Sequence, residues 1–122
     1  MADFVMTAHI INRNIDPDYP ATLSSRYIKE ILRKEMGFQG VVVSDDLQMG
    51  AITENYGFEE ALVRSINAGC NLLILSNNSI YDESIPYNAV EMIFKAVKDG
   101  RIEKSSITDS WSLIKKLKNK II

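Results

Sequence analysis

Two short apolar stretches constrain the fold of this chain most strongly: VVVS at residues 41–44 and LLILS at residues 72–76. Both are apolar at consecutive positions instead of alternating with polar residues. This pattern is typical of strands covered on both faces in a parallel sheet. A third apolar run, FVMTAHI, precedes them in the chain. The sequence therefore predicts strands over residues 4–10, 40–44 and 71–76.

Helical patterns lie between and after these strands, because apolar residues recur there at helical spacing. Gly37, Gly69 and Gly100 are suited to end the first three helices, and Pro86 predicts an entry turn before the third. The element order is β-α-β-α-β-α-α, which predicts an α/β fold in one domain over residues 1–122. Parallel strands joined in this way take right-handed crossovers. The predicted helices are residues 24–36, 58–68, 88–99 and 105–119.

Two predicted loops are longer than a simple connection requires: residues 11–23 and residues 45–57. Each follows the carboxyl end of a strand, where α/β proteins bind their ligands. Asp45 and Asp46 stand at the start of the second loop, and side chains that alternate along a strand diverge. We therefore expect Asp45 to point into a ligand site and act in catalysis, and Asp46 to cap the next turn.

His9 and Met49 are further candidates at the same end of the predicted sheet. His9 is the sole histidine of the chain. It either contacts a substrate or is a hydrogen-bonded core residue, and Met49 either lines a pocket or fills the core beneath its loop. One histidine with scattered carboxylates lacks the spacing of a metal site, and no glycine-rich phosphate loop is present. Neither a metal nor a cofactor is expected.

Composition excludes several classes of partner. The formal net charge is −2, and the chain lacks the basic face typical of nucleic-acid binders. No stretch approaches the roughly 18 apolar residues of a membrane span, and no signal peptide is recognisable. The single cysteine, Cys70, cannot form an intrachain disulfide, and it is predicted to be a small buried thiol. These features predict a cytoplasmic protein.

Several segments resemble the later part of the catalytic (β/α)8 barrel of glycoside hydrolase family 3, in its bacterial β-N-acetylhexosaminidase branch. They are VMTAHI, PATLS, ILRKEMGFQGVVVSDDLQMGAI and EALVRSINAGCNLLILSNN. RIEKSSITDSWSLIKKLK is similar to the helix that closes this domain. The resemblance implies a partial (β/α)8 barrel of about three βα units with a C-terminal helix.

The resemblance also implies a retaining hydrolase that releases terminal β-linked N-acetylglucosamine, including from peptidoglycan fragments. Asp45 would be the nucleophile, and His9 and Met49 would lie at the sugar pocket. The family's upstream KHFPGHG-type segment and its histidine/aspartate acid/base pair have no counterpart in these residues. In addition, the family's AGCD reads AGCN, with Asn71. We therefore expect very little activity from the chain alone. Three strands of a barrel also leave two open edges and an apolar face, so we expect pairing with a separate N-terminal barrel half, self-association, or collapse into a small three-layer α/β sheet.

Two other functional hypotheses remain open. The chain is either a hydrolase fragment, as above, or a non-catalytic remnant or interaction module with the same fold. A third hypothesis is a receiver-like phosphoacceptor domain, in which Asp45 and a neighbouring carboxylate hold Mg²⁺.

Overall fold

A three-stranded parallel sheet forms the centre of the computed structural model, which describes residues 2–78 and 81–122. The strand order is β1-β2-β3, and Val5 of β1 pairs with Val42 of β2. The predicted α/β fold with parallel strands is confirmed. The strands are β1 Phe4–Met6, β2 Val41–Asp46 and β3 Leu72–Ile74.

The strand limits differ from those predicted, because pairing with the neighbouring strand sets them. β1 ends at Met6, before its predicted end, and the side chains of the residues that follow bond to a distant loop. β2 continues two residues beyond its prediction, since Asp46 still pairs with Ile74. The register between these strands is irregular at this point, and the Ser44 hydroxyl accepts the Ile74 N–H at 2.9 Å.

Helices cover the sheet, and the predicted helix at residues 58–68 matches α2 at both ends. Gly69 follows it with a φ of +117°, as its predicted role as a helix stop requires. The first predicted helix is a π-helix, in which the Met36 N–H reaches the Ile31 carbonyl at 2.9 Å. The helices are the 3₁₀ turn Ala21–Leu23, the π-helix Arg26–Glu35, α1 Gly50–Tyr56, α2 Phe58–Ala68, α3 Ile85–Lys98 and α4 Lys104–Ile121.

Three expectations about connections were wrong. Helix α1 occupies most of the predicted loop 45–57, and the 3₁₀ turn lies in the predicted loop 11–23. Both elements are too short to display a helical repeat, and α1 buries only Ile52. Helix α3 begins at Ile85, so Pro86 lies inside its first turn instead of ahead of it. Proline is tolerated there because first-turn N–H groups have no intrahelical acceptor.

Apolar contacts hold the helices on the sheet, but one side of the edge strand β1 is left uncovered. One buried cluster joins the π-helix, β2 and the end of α2 through Ile28, Val42 and Ala68. The opposite side of β1 is open, since Phe4 and Met6 are 46% and 56% exposed. Every helix within residues 2–78 and 81–122 is too short or too polar to span a lipid bilayer.

Candidate active site

Asp45 lies half-buried near the carboxyl end of β2. Its Oδ1 accepts the N–H of Asp46 at 2.8 Å, and its own N–H donates to the Thr7 hydroxyl at 3.3 Å. Within the described ranges, no donor bonds to the second carboxylate oxygen, Oδ2. The carboxylate is therefore anchored through one oxygen and open at the other.

Asp46 is held quite differently, although it is the next residue. Its Oδ1 accepts the backbone N–H groups of Gln48 at 3.0 Å and Ser76 at 3.1 Å. Burial raises the pKa of this carboxyl, but hydrogen bonds from Ser76 and Gln48 outweigh it and keep the pKa below its ordinary value. The prediction that Asp46 caps the next turn is confirmed.

His9 reaches the same strand end from the segment after β1. Its Nε2 donates to the backbone carbonyl of Asp46 at 2.7 Å, and its Nδ1 lies 3.0 Å from the Thr22 hydroxyl. Both ring nitrogens are thus bonded to the protein, as the hydrogen-bonded alternative requires. The ring also borders a cavity with Ile11 and Tyr56, so a contact with substrate stays a prediction.

Met49 stands at the entrance to α1, and its N–H donates to the Asp46 carbonyl at 3.3 Å. Its side chain is 44% exposed, whereas Leu47 is fully buried. Leu47 therefore fills the core beneath this loop, and the core-filling alternative for Met49 is wrong. The Met49 N–H and Nε2 of His9 both donate to the Asp46 carbonyl. The role of Met49 toward a sugar stays a prediction.

Sequence reasoning missed several polar residues that build this end of the sheet. Thr7 and Thr22 connect Asp45 to His9, since their hydroxyl oxygens lie 2.9 Å apart. Gln48 accepts the Asn77 N–H at 2.7 Å and so links the loops after β2 and β3. Asn77 itself bonds to the Asp82 backbone through its side chain. Threonine is a common residue type in strands, so the sequence does not mark Thr7 or Thr22 as site residues. Only Gln48 could have been noticed, because it lies in the SDDLQM segment beside the two aspartates.

Asn71, where the family's usual AGCD run has an aspartate, lies at the opposite end of the sheet. Its Oδ1 accepts from Arg33 at 2.8 Å and from the Val42 N–H at 2.9 Å, and its Nδ2 donates to Ser110 at 2.9 Å. Cys70 beside it is buried, and burial raises the pKa of its thiol to about 12. Asn71 is therefore structural here, at the end of the sheet remote from Asp45, while the Cys70 thiol donates to the Thr22 carbonyl at 3.6 Å.

Comparison with known proteins shows which family this chain belongs to. A family model described as "Glycosyl hydrolase family 3 N terminal domain" matches residues 1–117. The chain belongs to glycoside hydrolase family 3. Within the family, it is 37% identical over 100 residues to the β-hexosaminidase of Nitrosomonas eutropha. The aligned residues make up 81% of this chain and 28% of that protein. This membership favours the hydrolase fragment and the remnant over the receiver-like hypothesis.

Solved structures of this family carry the same fold. The family 3 β-N-acetylglucosaminidase of Paenibacillus sp. matches 98% of this chain and 22% of its own, with a TM-score of 0.88 and 38% identity. The β-N-acetylglucosaminidase of Thermotoga maritima matches 93% of this chain and 24% of its own, with a TM-score of 0.81 and 35% identity. The predicted partial barrel is confirmed, and the chain spans about a quarter of the length of the curated relatives it matches.

Proposed function

We propose that this chain carries the nucleophile of a retaining β-N-acetylhexosaminidase, with Asp45 in that role. One observation carries the proposal: Asp45 presents an open carboxylate oxygen at the carboxyl end of a parallel strand, while Asp46 is engaged by two backbone donors. That end of a barrel strand is where barrel enzymes place catalytic groups. The names of the relatives support a β-linked N-acetylglucosaminide as the substrate.

The proposed reaction has two steps. The open oxygen of Asp45 attacks the anomeric carbon, a glycosyl–aspartate bond forms, and the bond to the leaving oxygen breaks as an acid protonates that oxygen. Water, deprotonated by the same group acting as a base, then attacks the anomeric carbon, and Asp45 leaves as a carboxylate. Asp46 is unsuited to be the acid, because its pKa is held low.

Two neighbouring residues are proposed to meet the sugar. Met49 offers an exposed, polarizable side chain beside Asp46. His9 borders the adjoining cavity, but its two nitrogens are bonded to Thr22 and to the Asp46 carbonyl. We therefore propose that a sugar contacts the carbon edge of this ring and that His9 itself transfers no proton.

The acid/base group is proposed to come from a separate N-terminal barrel half. The open side of β1 supports such a partner, because exposed Phe4 and Met6 are the kind of surface that a protein interface covers. A second copy of this chain is the alternative partner. The free thiol of Cys70 fits a cytoplasmic site of action, with cell-wall fragments as the source of substrate.

A 2-fluoro sugar with a good leaving group tests the proposal, because it traps the glycosyl-enzyme intermediate. The chain is mixed with the N-terminal barrel half of a full-length relative, and the adduct is located by peptide mass spectrometry. We expect one sugar on Asp45 and none in Asp45→Asn. Asp46→Asn is the matched control, because an asparagine Oδ1 still accepts the two N–H groups that hold this turn.

Either of two results would contradict the proposal. An adduct on Asp46 would assign the nucleophile to the other carboxylate. A complex that forms, remains folded and acquires no adduct would instead favour the interaction module, which keeps the fold of the family without its chemistry.

A further inference from the structure

We infer that Thr7, Thr22 and His9 are positioning residues that hold the backbone of Asp45 and Asp46 in a closed hydrogen-bonded ring. The ring runs from the Asp45 N–H to Thr7 (3.3 Å), from Thr7 to Thr22 (2.9 Å), from Thr22 to His9 (3.0 Å) and from His9 to the Asp46 carbonyl (2.7 Å). The inference rests on the proposed function only in naming Asp45 as the nucleophile.

The chemistry of the two ends fixes the direction of the bonds made there, and a neutral imidazole then sets the direction of the two bonds between them. A backbone carbonyl only accepts, so Nε2 of His9 carries a proton and donates to Asp46. In the neutral imidazole, Nδ1 is then an acceptor, and the Thr22 hydroxyl donates to it. The Thr22 oxygen accepts in turn from the Thr7 hydroxyl. The Thr7 oxygen accepts the Asp45 N–H, which can only donate.

Burial makes this arrangement costly to break. Thr22 is fully buried, so water cannot replace either of its bonds, and an unpaired buried hydroxyl is destabilising. The peptide between Asp45 and Asp46 lies inside the ring, and its N–H donates to Oδ1 of Asp45. Fixing this peptide therefore fixes Oδ1 of Asp45 and so holds Oδ2 in a single orientation. Such pre-orientation of a reacting group is one source of catalytic rate.

The ring joins three segments that are distant in sequence. Thr7 and His9 follow β1, Thr22 lies in the 3₁₀ turn, and Asp45 and Asp46 end β2. The Asp46 carbonyl also accepts the Met49 N–H at 3.3 Å. Loss of the Thr22 hydroxyl is therefore expected to change the position of the start of α1 as well as that of Asp45.

Nitrogen NMR of the imidazole tests the direction of the bonds without any sugar or partner. His9 is the sole histidine of the chain, so a ¹⁵N-histidine-labelled sample gives one pair of ring signals. We expect the signature of a neutral ring protonated at Nε2, with Nδ1 shifted as a hydrogen-bond acceptor. A ring protonated at Nδ1, or at both nitrogens, under the conditions in which the chain is folded would overturn the inference.

Variants of Thr22 test the positioning role. Thr22→Val removes the hydroxyl and keeps the shape, Thr22→Ser restores the hydroxyl, and Thr108→Val removes an exposed hydroxyl of α4 as a matched control. In Thr22→Val we expect the Nδ1 signal to move toward that of a ring with no donor, and the Asp45 amide to exchange with solvent about tenfold faster. Thr22→Ser and Thr108→Val should retain the original signals.

Trapping by the 2-fluoro sugar in the complemented protein completes the test. We expect trapping in Thr22→Val to be about tenfold slower and in Thr22→Ser to approach the original rate. An unchanged trapping rate in Thr22→Val would overturn the positioning role. If Asp45 is never trapped but the His9 signals are as expected, the proposed function fails and the ring stands.

Discussion

The two ends of β2 carry polar clusters of similar size but of opposite character. At the amino end, the single amide of Asn71 bonds to Arg33, to the Val42 N–H and to Ser110, so that both its polar atoms are used. At the carboxyl end, Asp45 is anchored through one oxygen and leaves the other open. The first cluster completes its own hydrogen bonds and stabilises the sheet, whereas the second leaves bonding capacity for a ligand.

This difference follows the general division of labour in barrel folds, where one end of the strands serves stability and the other serves chemistry. It also explains why the AGCN sequence is compatible with the family assignment. The asparagine replaces a carboxylate at the structural end, remote from Asp45. A change there is expected to affect the free energy of unfolding, and a change at Asp45 is expected to affect the reaction.

The largest effect is expected at Asp45, where a substitution should abolish the reaction and leave the free energy of unfolding nearly unchanged. In the complemented protein, Asp45→Asn should lower hydrolysis of a chromogenic β-N-acetylglucosaminide by about 10⁴-fold or more, because the nucleophile is lost. Its free energy of unfolding in urea should stay within about 1 kcal/mol of the original, since one half-buried hydrogen bond is altered. A variant that keeps its activity, or that unfolds, would remove the distinction between the two ends.

The converse effect is expected at Asn71. Asn71→Leu leaves the buried Val42 N–H without its acceptor and removes a partner from Arg33. The free energy of unfolding of the chain should fall by about 2–3 kcal/mol, as for other orphaned buried donors. Equilibrium urea unfolding followed by circular dichroism measures this change.

Asn71→Asp is the matched control at that position. Its carboxylate keeps the acceptor for Val42 and faces Arg33, whose pKa is lowered by burial, while the Ser110 hydroxyl can turn to donate. This variant should be at least as stable as the original chain. If it is destabilised as much as Asn71→Leu, the amide of Asn71 has a role at the amino end that a carboxylate cannot fill.

A smaller effect is expected from acid titration at the carboxyl end. The pKa of Asp46 is lower in the folded chain than its ordinary value near 3.8, so the unfolded chain binds this proton first as the pH falls. The stability that the charged carboxyl contributes is therefore present above that ordinary value and is lost as the pH falls through the folded pKa. Asp46→Asn should show a flatter loss of stability below about pH 4 in urea unfolding at a series of pH values. Equal slopes for the two proteins would mean that the turn gains nothing from the charge of Asp46.

Much of the site's position could be predicted from the sequence, because its signals are local. The apolar run before Asp45 is long enough to indicate a buried strand, and a strand end in an α/β fold is a ligand-binding position. The partners of His9 could not be predicted, because they lie 13 and 37 residues away in the chain. Such contacts depend on how three loops meet, and none of them has its own periodic pattern.

The sequence by itself determined the parallel α/β fold, the limits of α2 and the placement of acidic residues at the end of β2. Apolar periodicity and a terminal glycine act over a few residues, so they can be read in one dimension. Only the tertiary structure decided that Asp46 is tied into a turn, that Asp45 keeps one oxygen open and that Asn71 serves the opposite end of the sheet. Each of those outcomes is a choice between competing hydrogen-bond partners. Distant segments brought together by packing supply most of those partners.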